Sequence, residues 1–208
     1  MSLSPRPPAG GRGRARAGRD RAPSPQAAPK ASLPTPAAIE GWLTGLGLEP
    51  GPRSEREGLA AWDLTLDGRR RFGLRVTVIL DPALGAIVWA HLAPPIGDGL
   101  RKAYRTLLTW NDEFPLAKFS LAEDGRPILA VEIPARWLDA DELGLALARV
   151  VGIADYLFDE TRGWVWIGGR VPEAYEARLA AAAGETPASG GRALLVRYAA
   201  RLPELLAP

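Results

Sequence analysis

His91 is the only histidine in the chain, and it is the first side chain to consider for metal or acid–base chemistry. One imidazole cannot form a multi-histidine metal site, although carboxylates could complete a mixed one. The chain has no cysteine, which excludes disulfides, thiolate zinc sites and cysteine nucleophiles. His91 lies in a strand-like run, so we interpret it as a partly exposed or hydrogen-bonded strand residue. We therefore predict no metal site.

Most of the carboxylates that could form an acid–base pair occupy positions where turns and helix caps need them. Asp67 and Asp124 precede glycine, Asp81 precedes proline, and Asp139 stands before a long helical pattern. The chain also lacks the G-x-S-x-G, H-E-x-x-H and G-x-x-x-x-G-K-[ST] motifs. We predict a protein without catalytic residues and without a cofactor, and an enzyme with an unrecognised carboxylate site stays an alternative.

Basic charge is concentrated at the N-terminus. Residues 1–36 hold seven basic side chains and one acidic side chain, a net charge of +6, whereas the rest holds 19 basic and 23 acidic side chains, a net charge of −4. Only Leu3 and Leu33 are large aliphatic residues in this Pro/Gly-rich tail, so we predict that it is disordered. Residues 11–14 (Gly-Arg-Gly-Arg) resemble RNA-binding stretches, but the tail has no aromatic residue to stack a base. Nucleic-acid binding is therefore an alternative to a solvated spacer.

Hydrophobic spacing predicts one helix and three strands after the tail. Thr35 and Pro36 open a short amphipathic helix that ends at Gly47. Residues 62–66 and 72–80 alternate with a period of two around an Asp67-Gly68 turn. Residues 86–92 are apolar at nearly every position, which is typical of a strand covered on both sides or lying in an interface.

A second helix, a hairpin and a third helix follow. Residues 100–114 carry a helical stripe, in which Asn111 can cap the helix end or the start of the next strand. Residues 117–121 and 129–133 flank an Asp124-Gly125 turn, and a long helix begins behind Asp139. The order α-β-β-β-α-β-β-α predicts an α+β fold, a five-stranded antiparallel sheet with helices packed on it, plus C-terminal helices.

We divide the chain into a tail (1–36), a domain (37–162) and a C-terminal helical extension (163–208). In the extension, a short aromatic segment at 164–167 precedes a helix that opens at Pro172 and a last amphipathic helix. No run approaches the roughly 18 apolar residues of a membrane span, and the basic N-terminus is not followed by an apolar stretch. We expect a cytoplasmic protein without membrane contact.

Five segments together resemble the YbjN family: residues 107–111 (Leu-Leu-Thr-Trp-Asn), the strand 116–121, the Asp124-Gly125 turn, the strand 129–134, and the helix from Leu138. The same pattern is similar to class I type III secretion chaperones (CesT-like). The resemblance is best over residues 100–160 and extends over 37–160. It contains no catalytic residue, and it implies an interaction domain that is commonly dimeric and regulates or holds an extended partner segment.

The resemblance and the apolar pattern together predict a protein partner of unknown identity and a homodimer. We expect a dedicated secretion chaperone less, because such proteins are usually smaller and acidic. An extended partner would lie on apolar sheet and helix surface, and aromatic residues are enriched at such contacts. The predicted partner or dimer contacts are Ile87, Trp89, Leu100, Tyr104, Trp164 and Trp166.

Overall fold

The structure, a computed structural model, describes residues 33–96, 100–183 and 189–206. The tail for which disorder was predicted lies outside these residues, except for its last four positions. The strands are β1 (Ser54–Arg56), β2 (Leu59–Leu66), β3 (Leu74–Asp81), β4 (Gly85–His91), β5 (Lys118–Leu121) and β6 (Pro127–Pro134). The helices are α1 (Pro36–Gly45), α2 (Leu100–Glu113), α3 (Ala140–Tyr156), α4 (Phe158–Val165), α5 (Glu173–Ala182), α6 (Gly190–Arg197) and α7 (Pro203–Leu206).

The sheet has six antiparallel strands in the order β1-β2-β3-β4-β6-β5, so the prediction of five strands was wrong by one. The missed strand is β1, which pairs with the outer edge of β2 from Ser54 to Arg56. All three of its residues are exposed, so β1 has no alternation of polar and apolar side chains to detect. The remaining elements follow the predicted order.

One face of the sheet is covered by helices and contains the core. Alternate residues of the central strands, such as Val76, Val78 and Val88, are buried there beside the apolar stripe of α3. The side chain of Trp62 lies in the same layer and donates from Nε1 to Glu40 Oε1 of α1 at 3.1 Å. Strand alternation therefore assigns each side chain either to this core or to the opposite face.

Local capping chemistry agrees with the predictions. Thr35 Oγ1 accepts the N–H of Ala38, and Asp139 accepts the N–H groups of the first turn of α3. The side chain of Asn111 binds both backbone polar groups of Phe119 in β5: its Oδ1 accepts Phe119 N–H at 2.7 Å and its Nδ2 donates to Phe119 C=O at 3.1 Å.

Two connections differ from the predictions. The Asp67-Gly68 turn is not a tight hairpin, because β2 and β3 are joined by the longer loop 67–73. The aromatic segment at 164–167 begins inside α4 and ends in a 3₁₀ turn.

The last predicted helix is divided into α6, a 3₁₀ turn and α7, since Pro203 cannot continue a helix from the preceding turn.

The apolar residues of the predicted last helix are buried nonetheless. Leu194, Leu195 and Leu202 join the same core cluster as Ile39 of α1 and Leu143 of α3. The C-terminal helices therefore add to the core of the sheet domain.

Candidate protein-binding face

The second face of the sheet is not covered by α1, α2, α3 or α6, all of which pack on the core side. We call this surface the open face. Its residues are the alternate positions of five strands, and they combine aliphatic, aromatic, hydroxyl and charged side chains: Ala61, Asp63, Thr65, Arg75, Thr77, Ile79, Ile87, Trp89, His91, Lys118, Ser120, Ile128, Ala130 and Glu132.

The centre of the open face is apolar. Ile79 of β3 lies directly opposite Ile87 of β4, and Trp89 lies one step further along β4, opposite Ala130 of β6. Cross-strand neighbours of this kind have Cβ atoms roughly 5 Å apart, so their side chains form one continuous patch. Ile87 and Trp89 are two of the six predicted contact residues, and the structure brings them together.

Charged and hydroxyl side chains surround this centre. Thr77 Oγ1 donates to Asp63 at 2.7 Å, and Lys118 Nζ donates to Glu132 at 2.6 Å. Arg75 has no ion pair among the described residues. An apolar centre within a polar rim is the usual anatomy of a protein interface.

Two polar atoms beside the apolar centre are buried without a partner. The rings of Trp89 and His91 lie 5.7 Å apart, and Trp89 Nε1 and His91 Nδ1 have no hydrogen-bond partner among the described residues. Burial lowers the pKa of His91, and the nearby Arg126 lowers it further. His91 is thus a half-buried strand residue, as predicted, and its neutral form is favoured.

The other four predicted contact residues lie elsewhere. Leu100 begins α2, and Tyr104, 44% exposed, follows one turn later on a helix that packs against β5 on the core side. The ring of Trp164 contacts Trp110 at 5.3 Å, so this residue packs within the chain.

Trp166 also contacts its own chain, because its ring lies 4.9 Å from Tyr175. The contact roles of Trp164 and Trp166 stay predictions.

The sequence did not predict one polar cluster, which is built around Asp155 of α3. This carboxylate is 6% exposed and accepts three backbone N–H groups of the 67–73 loop: Arg69 at 2.6 Å, Arg70 at 2.9 Å and Arg71 at 2.7 Å. Burial raises the pKa of Asp155, and the three N–H groups oppose the rise only in part. The signal that could have revealed it is one carboxylate within the buried stripe of a helix.

Arg71 and Tyr175 complete this cluster. Tyr175 donates to Arg70 C=O at 3.0 Å and accepts Phe72 N–H at 2.8 Å. The guanidinium of Arg71 is buried and donates from Nη2 to Leu92 C=O at 2.5 Å, and burial lowers its pKa. All these bonds fix the path of the loop, so we assign the cluster a structural role.

Neither a metal-binding cluster nor a membrane-spanning helix is found in the part of the chain that the structure describes. No group of three or more His, Asp or Glu side chains there could hold a metal ion. No helix there is both long enough and apolar enough to cross a bilayer. The apolar centre and polar rim of the open face make it the candidate functional surface.

A family model with the description "putative bacterial sensory transduction regulator", YbjN, matches residues 35–162. The chain belongs to the YbjN family. The match covers all six strands and helices α1 to α3, and it ends within α4. It confirms the resemblance to the YbjN family, whereas the likeness to secretion chaperones stays a prediction. No curated protein matches the chain.

Proposed function

We propose that this YbjN protein is a regulatory module that acts by binding another protein and not by catalysis. The observation that carries the proposal is the apolar centre of the open face, where Ile79, Ile87 and Trp89 are neighbours that the helices leave uncovered. Apolar patches rimmed by polar residues mark protein contacts. The description of the family as a regulator supports the same function.

The proposed occupant of the open face is a second copy of this chain or a segment of a partner protein. Two antiparallel sheets can pack face to face about 10 Å apart, which would bury the apolar centre of both copies. The predicted likeness to secretion chaperones supports the second occupant, a segment of a partner protein that the open face holds in an extended conformation. With either occupant, the module acts in the cytoplasm, as expected from the sequence.

The test is a Trp89→Glu variant, which places a charge in the apolar centre. Its matched control is Thr65→Glu, which adds the same charge at an exposed position of the same face. Sedimentation velocity would measure self-association, and affinity capture from the native cell with quantitative mass spectrometry would measure partner binding. Thermal unfolding of each variant would establish that it is folded, and Ile87→Lys is the second variant should Trp89→Glu unfold.

We expect the wild-type chain to form a dimer or to bind a specific partner. The Trp89→Glu variant should lose this binding, and the Thr65→Glu variant should retain it. Burying an unpaired charge in such a centre weakens binding by a factor on the order of 100. The proposal fails if the wild-type chain is a monomer without a specific partner, or if the same assemblies form with the variants at Trp89 and Ile87.

A further inference from the structure

Strand β6 extends beyond its neighbour β5 at one end. The pairing of the two strands ends at Lys118 opposite Ala130, whereas β6 continues to Pro134. Among the described strands, residues 131–134 therefore have a neighbour only on the β4 side. We call the other side of these four residues the free edge.

Glu132 directs its backbone N–H and C=O towards the free edge. In an antiparallel ladder, successive residues direct these groups to alternate sides. Arg126 C=O accepts Ala122 N–H on the β5 side, and Pro127 C=O accepts Leu92 N–H on the β4 side. Even-numbered residues of β6 therefore face β5. Of the two that lie beyond the last pair, Glu132 has an N–H to donate and Pro134 has none.

The backbone of Leu116 accounts for the free edge. Continuing the register would place Leu116 opposite Glu132, but Leu116 has a φ of +64°, which turns the chain away from β6. A left-handed conformation costs a non-glycine residue about 1–2 kcal/mol. The side chain is 77% exposed, so burial of Leu116 does not offset this cost.

The outer edge of β5 is different, because Asn111 binds both backbone groups of Phe119. Side-chain hydrogen bonds of this kind protect a strand edge from pairing with another chain. The free edge of β6 lacks such protection among the described residues.

A groove of about 880 Å³ lies along the free edge. Its apolar walls include Leu145 and Ala146 of α3, together with Leu116 and the 59% exposed Trp137. A groove of this width beside an unpaired strand fits an extended chain, whose alternate side chains would enter it.

Two guanidinium groups in the groove have no carboxylate partner among the described residues. The guanidinium of Arg136 lies 4.1 Å from the centre of the Trp137 ring, and Arg149 donates to Pro115 C=O at 3.2 Å. The three carboxylates of the groove are already engaged: Glu132 with Lys118, Glu142 with Arg201, and Asp139 with the start of α3. The available charge is therefore positive, and a complementary occupant is acidic.

We propose that the free edge and its groove bind an extended acidic segment of a partner protein, which presents both apolar and Asp or Glu side chains at the alternate positions that face the groove. The segment adds to β6 as a strand and pairs with the backbone of Glu132. Its apolar side chains contact Leu145 and Trp137, and its carboxylates bind Arg136 and Arg149. Trp89 does not line this groove, so this inference and the proposed function can fail separately.

The probe is a short fluorescent peptide in which every second residue is threonine and the residues between are valine and glutamate in turn, measured by fluorescence anisotropy with the full chain. Control peptides replace glutamate with lysine or carry N-methyl groups on alternate backbone nitrogens. The protein variants are Arg136→Glu, Arg149→Glu and Glu132→Pro. The last one removes both the outward N–H and the carboxylate that pairs with Lys118, so Glu132→Ala, which keeps the N–H, is its own control. The matched control is Arg105→Glu, a charge reversal at an exposed position of α2 away from the groove.

We expect saturable binding of the glutamate peptide, weakened by roughly tenfold or more in each groove variant, since each loses a hydrogen bond or a charge pair. Arg105→Glu and Trp89→Glu should bind like the wild type, and both control peptides should bind weakly. The inference is overturned if the glutamate peptide does not bind, or if the lysine peptide binds equally well. Equal binding of the N-methylated peptide would exclude strand addition.

Discussion

Replacing Asp155 by asparagine tests whether this buried carboxylate holds the 67–73 loop. Asparagine has nearly the same shape, but it loses the charge and has an NH₂ group in place of one acceptor oxygen. Its remaining oxygen can accept the N–H groups of Arg70 and Arg71, which both bind Oδ1 of Asp155. The N–H of Arg69, which binds Oδ2 at 2.6 Å, would then face a donor.

The expected loss in the free energy of unfolding is about 2–4 kcal/mol for Asp155→Asn. A hydrogen bond to a charged acceptor contributes about 1.5–3 kcal/mol, and an unsatisfied buried N–H costs a further ~1–3 kcal/mol. Relief of the buried charge, whose desolvation raises the pKa of Asp155, offsets part of this sum. Asp155→Ala removes all three acceptor contacts and should cost about 3–5 kcal/mol.

Urea unfolding followed by tryptophan fluorescence measures these differences, and hydrogen exchange of the Arg69, Arg70 and Arg71 amides locates them. The matched control is Asp159→Asn. Asp159 binds Arg70 of the same loop at 2.7 Å, but its side chain is 56% exposed, so we expect a cost below about 1 kcal/mol. Equal small costs for Asp155→Asn and Asp159→Asn would refute the assignment of Asp155 as the residue that holds the loop.

Three further outcomes are expected. Tyr175→Phe removes the partner of Phe72 N–H and should lower the free energy of unfolding by about 1–2 kcal/mol, measured by urea titration; an unchanged midpoint contradicts this. Asn111→Ala leaves Phe119 N–H and C=O without partners and should cost about 1–3 kcal/mol, with faster amide exchange at Phe119 as the specific readout. The imidazole of His91 should titrate below pH 6.5 when measured by proton NMR. Because the folded state favours the neutral ring, the stability that this ring contributes is present above pH 6.5 and is lost as the pH falls through the lowered pKa. A pKa at or above 6.5 would show that burial does not control this side chain.

Residue spacing and turn chemistry were sufficient to predict the features whose contacts join residues close together in the sequence. The caps at Thr35 and Asp139 and the Asn111 contact with β5 were predicted because each involves residues only a few positions apart. Strand β1 was missed because three exposed residues have no pattern, and its pairing depends on β2 being in place.

Within the candidate site, the sequence predicted Ile87 and Trp89 as contacts from the apolar character of their strand. It could not distinguish a strand covered on both sides from one with a free face, since both give a nearly continuous apolar run. The clustering of Ile79 with Ile87 depends on the register between β3 and β4, which becomes fixed only when the strands pair.

The sequence by itself determined the order of the elements apart from β1, the family and the absence of cysteine chemistry, because these depend on residue type and local spacing. The tertiary structure alone decided which sheet face the described helices leave uncovered and where β6 has no neighbour among the described strands. It also decided that Asp155 binds a loop 84 to 86 positions earlier in the chain. The physical reason is that burial and hydrogen-bond pairing depend on which segments meet in space, and a contact between distant segments leaves no periodic signal in either one.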